Sequence, residues 1–134
     1  MATFNKFNSF VEALAEKTHN LGADTLTIAL TNTAPAAGNT VLANITEISY
    51  TNLSSRVLTS VTSSQTSGTY TLDAADLVLT ASGTVPTLRY VVLYNDTATS
   101  DELIGYYDYG SAVDLLNGET FTITFDASGI LTLA

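Results

Sequence analysis

The side chains able to do chemistry are few and scattered. His19 is the only histidine and cysteine is absent, so neither a multi-histidine metal site nor a thiolate site is available. No serine sits in a G-x-S-x-G turn, and no glycine-rich phosphate cradle occurs. A lone histidine in the last turn of a helix is expected only to complement the dipole there. Asp96, Asp101 and Glu102 share a short stretch with Asn95. Calcium favours such oxygen-rich loops, but the spacing is not that of an EF-hand. Solvation is therefore the expected fate of the acidic loop over 95–102, with calcium binding the alternative. Asp73 and Asp76 flank a turn and are expected to cap it. A glycosidase needs two carboxylates at a set separation across a cleft, and nothing in the order of the acids marks such a pair. The expectation is a protein that is not an enzyme, with no catalytic residues, no cofactor and no metal centre.

The tyrosines are the other distinctive group. Tyr50, Tyr70, Tyr90, Tyr94, Tyr106, Tyr107 and Tyr109 have the chemistry to stack on sugar rings, though core packing is the stronger expectation. Tyr90 and Tyr94 fall on one side of a strand and are expected to face a core. Alternation sends Tyr106 to one face of its strand and Tyr107 and Tyr109 to the other. At least one of these three is thus expected to be exposed and to suit an interface. With Phe4 and Phe7, the residues Tyr106, Tyr107 and Tyr109 form the candidate interface set.

Those side chains must be held by a framework that composition already narrows. The chain has 134 residues, 46% of them apolar and only 13% charged, a profile that excludes disorder and fits one domain with a real core. Four basic residues, Lys6, Lys17, Arg56 and Arg89, stand against thirteen acids for a net charge of −9. That balance repels phosphate, so neither nucleic acid nor an anionic membrane is an expected partner. The N-terminal residues lack the apolar run of a secretory signal, and no stretch is long and apolar enough for a membrane-spanning helix. The expected product is soluble and made in the cytoplasm. Threonine is the commonest residue, with 23 copies, and a β-branched hydroxyl suits the solvated face of a strand.

Two periods divide the chain. Over residues 4–21, Phe7, Phe10, Val11, Leu14, Thr18 and Leu21 recur at three- and four-residue steps, which predicts an amphipathic helix ended by Gly22 in a left-handed cap. From residue 24 the period becomes two. Leu26, Ile28 and Leu30 alternate with Thr25, Thr27 and Thr31, a half-buried strand. Residues 41–48 read equally as a short helical turn or a strand. Strand signals then follow over 56–62, 69–72, 77–81, 88–94, 103–109, 120–125 and 130–133. The segment 88–94 is apolar on both faces, as a central strand requires, and Asn117-Gly118 is a strong hairpin signal into 120–125. About seven or eight short strands with frequent turns predict an antiparallel β-sandwich or jelly-roll-like fold. The reading is one domain over 1–134, with the helix at about 4–21 covering a sandwich at about 24–134.

Several stretches resemble a family of small virion structural proteins of tailed bacteriophages. They are Phe4-Asn-Lys-Phe-Asn-Ser-Phe-Val-Glu-Ala-Leu-Ala-Glu-Lys17, His19-Asn-Leu-Gly22 and Leu30-Thr-Asn-Thr-Ala-Pro35 in the first third. Later come Arg89-Tyr-Val-Val-Leu-Tyr-Asn-Asp-Thr97, Leu103-Ile-Gly-Tyr-Tyr-Asp-Tyr-Gly110, Asn117-Gly-Glu-Thr-Phe-Thr-Ile-Thr-Phe-Asp126 and Gly129-Ile-Leu-Thr-Leu-Ala134. Residues 44–64 depart from that pattern, with Ser49-Tyr-Thr-Asn-Leu-Ser54 where the family is glycine-rich. The resemblance implies a capsid cement or decoration protein present in many copies on the outer surface of the virion, with the major capsid protein as partner. A tail, baseplate or fibre-attachment component is the structural alternative, and a carbohydrate-binding attachment module is the alternative from another class. The apolar segment 130–133 is a sheet edge that needs cover, so a homo-oligomer, dimer or trimer, is also expected.

Overall fold

The computed structural model describes residues 2–134. Its elements in chain order are β1 (Asn5–Lys6), α1 (Phe10–Ala15), β2 (Leu26–Thr31), a 3-10 turn (Leu42–Asn44), β3 (Thr62–Thr66), β4 (Thr69–Asp73), β5 (Leu77–Thr80), β6 (Val85–Asn95), β7 (Leu103–Leu115), β8 (Thr120–Ile123) and β9 (Leu131–Leu133). All the named strands pair antiparallel. One sheet has the order β1-β7-β6-β2, a second β3-β4-β9, and a third is the pair β5-β8. The fold is mainly β, sandwich-like, with one short helix, as the alternating segments predict.

The first sheet is covered on both faces. Strand alternation sends Val91 and Leu93 of β6 into a large cluster with Leu26, Ile28 and Leu30 of β2 and Ile104 of β7. The smaller sheets close that cluster with Leu72, Leu77, Leu79, Phe121, Ile123 and Leu131. Val92 and Tyr94 point the other way, into a smaller cluster with Phe7, Ala29, Ile45 and Leu103. Each enclosed large apolar side chain stabilises the fold by about 1.5–3 kcal/mol before entropy is counted. β2 is therefore not half-buried as its threonines suggested: Thr27 and Thr31 are enclosed. Their hydroxyls are satisfied, Thr27 donating to Asp96 Oδ2 at 3.2 Å and Thr31 accepting from the Thr33 amide at 3.0 Å. The outer edge of β2 is also covered, by bridges from Val57 and Glu47 and by hydrogen bonds at Arg56, Leu58 and Ile48. The expected strand over 56–62 is thus reduced to this edge contact, and residues 42–44 take the helical alternative as a single 3-10 turn.

The expected helix over 4–21 is the main correction. Only residues 10–15 are helical, and Asn5 and Lys6 instead pair with Tyr106 and Gly105. Phe7 and Phe10, three residues apart, enter different clusters on opposite faces of the first sheet. The apparent stripe was two separate anchors. Lys17, not Gly22, takes the left-handed backbone, at φ 70°, and the Thr18 amide bonds back to Ala13 O at 2.8 Å to close the helix. Gly22 instead allows close approach, since a β-carbon there would stand 3.1 Å from Ser63 Cβ.

The Asn117-Gly118 turn forms, with Gly118 at φ 85°, but it does not make the expected hairpin. β7 pairs with β6 and β1, whereas β8 pairs with β5. The turn carries the chain from one layer to the other, and the Gly118 amide donates to Ala81 O at 2.8 Å as it crosses. β7 also runs beyond residue 109. Its register against β6 shifts between the pairs Tyr90–Asp108 and Leu88–Val113, so residues 109–112 bulge outward, with Gly110 at φ 96°.

Candidate interface

The five candidate aromatics divide between the two faces of β7. Phe7 is wholly enclosed by its own chain and packs its ring 5.3 Å from that of Tyr106. Tyr107 lies on the opposite face with Phe4, their rings edge to face at 5.5 Å. Burial pushes the Tyr107 phenol up to about 12, with the carboxylates of Asp126 and Asp73 adding to the rise. Tyr109 stands at the start of the bulge and is 55% exposed, its ring packed in a T-shape with that of Phe121 of β8 at 5.2 Å. Alternation is observed as expected, and Tyr109 is the exposed member of the three.

Tyr107 and Tyr109 form one wall of a groove of about 350 Å³, with Val91 beside them and residues 121–124 opposite. A second trough of about 340 Å³ adjoins it, sharing Ala2 and Tyr107 and reaching Asp126 and Ile130. Asp126 accepts the Ser128 amide at 2.8 Å, and bonds from Ser128 hold its carboxyl below the usual range. The groove is thus an apolar, aromatic channel with a carboxylate at one end. Sequence reasoning named Tyr109 as one of three tyrosines, at least one of them exposed, but not the groove, because its second wall comes from the β7–β8 layer change.

The histidine does not sit in a helix's last turn. His19 follows the helix and is buried, its ring 5.4 Å from that of Phe10. Its Nδ1 accepts from Asn95 Nδ2 at 3.0 Å, and the same amide donates to Asp24 Oδ2 at 2.7 Å. Asn95 Oδ1 accepts the Thr97 and Ala98 amides at 3.0 and 3.1 Å, which fixes the amide orientation and folds the acidic loop. The imidazole proton then rests on Nε2, which is buried without a partner, as is Glu102 Oε2. Burial holds the His19 pKa below its ordinary value against the nearby charges of Glu102 and Asp24.

Among the described residues, no group of three or more His, Asp or Glu side chains is arranged to hold a metal ion. Asp73 does cap locally, accepting the Ala74 amide at 2.8 Å. Asp76 instead reaches across to the Phe125 amide at 3.0 Å and secures the end of β8. No helix among the described residues is long and apolar enough to cross a membrane.

Fold and groove together define an antiparallel β domain with an exposed aromatic channel. Compared with protein-family models, curated proteins and solved structures, the chain matches none.

Proposed function

We propose that the chain is a virion structural protein of a tailed bacteriophage, a cement or decoration protein on the outside of the head. In this role it bridges neighbouring major-capsid subunits, as a dimer or trimer, and stabilises the lattice without chemistry. The observation that carries the reading is the channel at Tyr109 and Phe121, an apolar surface open to a partner. Paired strands and enclosed clusters allow the domain to dock as a rigid body with little entropy lost. Repetition over a lattice turns modest contacts into avidity. The net charge of −9 suits a solvent-facing position better than one against packaged DNA.

Ring geometry favours a protein partner over a sugar. The Tyr109 and Phe121 planes meet at 69° and those of Phe4 and Tyr107 at 62°, so neither pair forms a coplanar platform for a sugar. Cryo-electron microscopy of the native particle tests the proposal. Density for this domain in many copies over the capsomer seams is expected. Density confined to the tail moves the assignment to a tail or attachment component, and absence from the particle removes the virion reading.

A further inference from the structure

Four consecutive residues of one segment, Phe121, Thr122, Ile123 and Thr124, line the aromatic channel. A strand presents alternate residues on each face, so consecutive residues meet a space only along an edge. Among the described residues β8 has a single strand neighbour, β5, which leaves its second edge without a strand partner there. The channel therefore offers two things together: backbone groups on one side and the rings of Tyr107 and Tyr109 on the other. Among the described residues that line the two troughs, the charged one is Asp126, in the adjoining trough. Among the described residues, no lysine or arginine lines either part of the groove.

We infer that this groove receives an extended segment of a partner protein, added as a strand along the free edge of β8. Apolar side chains of that segment seat between Tyr109 and Ile123, and a lysine or arginine beside them meets Asp126. Strand addition uses backbone hydrogen bonds for affinity and pockets for alternate side chains for specificity. β8 spans Thr120–Ile123, so the matching segment is short, about five residues at roughly 3.3 Å each. A second copy is a poor occupant of this groove, because the segment it receives carries a cation, while Lys6 and Arg89 lie in strands already paired within the chain and the Arg56 backbone is bonded to Ile28. The inference deepens the virion reading and rests on it for the partner's identity, a surface segment of the capsid lattice.

The first test uses the isolated protein and two synthetic heptapeptides. One is Lys-Val-Thr-Val-Thr-Val-Lys, and the other replaces both lysines with glutamate. Amide NMR shifts on titration with the lysine peptide are expected at residues 107–109 and 120–124. The glutamate peptide is expected to bind at least about tenfold more weakly. Tyr109→Ala removes an aromatic anchor and is expected to weaken the lysine peptide by about tenfold or more. Thr124→Lys, an exposed position, places like charge in the groove and is expected to weaken the lysine peptide and favour the glutamate one. Val78→Ser, at an exposed residue of β5 outside the groove, leaves binding unchanged. Each variant is first checked for wild-type amide dispersion. No shifts at about 1 mM peptide, the weak-binding limit, would overturn the inference. So would equal binding of the two peptides, or the same amides moving on raising the protein concentration alone.

A second arm adds wild type and the two groove variants to heads stripped of the protein. Wild type bound and both variants released supports the groove. Retention of all three overturns it while leaving the virion reading in place. Failure of wild type to bind heads sinks the virion reading, and the peptide titration then judges the groove by itself.

Discussion

The ring of Phe4 occupies the space over Gly105 that a β-carbon would fill, and the same position is 2.9 Å from the Asn5 carbonyl oxygen. Gly105 stands opposite Lys6 in the register of β1 on β7, so the glycine is the notch that lets the N-terminal segment lie down on the sheet. Gly105→Ala is expected to lift Phe4 and loosen β1, lowering stability by about 1–3 kcal/mol in urea denaturation. Adding Phe4→Ala should recover part of that loss, and a double-mutant cycle reads the coupling. Additive effects of the two changes would refute the notch.

Tyr50 tests the covered edge of β2. Its hydroxyl accepts the Leu30 amide at 2.9 Å and donates to Glu47 Oε1 at 2.7 Å, while the Arg56 guanidinium lies 3.5 Å over its ring. Tyr50→Phe keeps the ring beneath Arg56 but strands the Leu30 amide, at an expected cost of about 1–3 kcal/mol. Tyr70→Phe, which removes only an exposed bond to Ser63, should change stability by less than about 0.5 kcal/mol.

Acid sensitivity should begin at His19. Its folded pKa lies below the ordinary 6.5, so the unfolded chain binds the proton first as pH falls. The stability linked to this group is therefore complete above 6.5 and is lost as pH drops through that value toward the folded pKa. The urea midpoint is expected to fall between about pH 7.5 and pH 5.5. In His19→Gln, which still accepts from Asn95, that decline should shrink. Asp108 and Asp126, both held below 3.8, enter only at lower pH.

At the alkaline end the tyrosines should separate. Tyr107 is raised to about 12, Tyr50 is raised further by burial, and Tyr94 also moves up. Phenols whose folded pKa exceeds the ordinary 10 stabilise the fold fully below that value and progressively less above it. Absorbance titration is expected to show late-ionising phenols, one fewer in Tyr107→Phe. Simultaneous ionisation of all the tyrosines before unfolding would contradict the burial described.

Which parts of this structure could be read in the sequence follows from where the physics is local. β6 was legible as a short run apolar on both faces, and β8 because Phe121 and Ile123 alternate with threonines; both are properties of neighbours along the chain. The helix was overextended because Phe7 and Phe10 match helical spacing while going to opposite faces of a sheet. The threonines of β2 looked solvated because the segments over them, around Ile45 and Arg56, arrive from distant sequence. Alternation placed Tyr109 on one face with Tyr107, whereas its partner Phe121 required knowing that the Asn117-Gly118 turn changes layers. The link from His19 to Asn95 joins two ordinary-looking residues, and neither carries a local mark of the other.

The pairing pattern also sets how the chain reaches this state. Asn5 waits for Tyr106, Leu26 for Asn95, and Tyr70 for Leu133, so each sheet is completed by residues from a remote part of the polypeptide. Little native structure rewards an incomplete chain, because loop closure must be met before those contacts form. Folding should accordingly take milliseconds to seconds, the slow regime of non-local β topologies. Until β9 arrives, β4 has only β3 beside it, and for that period its second edge lies open to other copies.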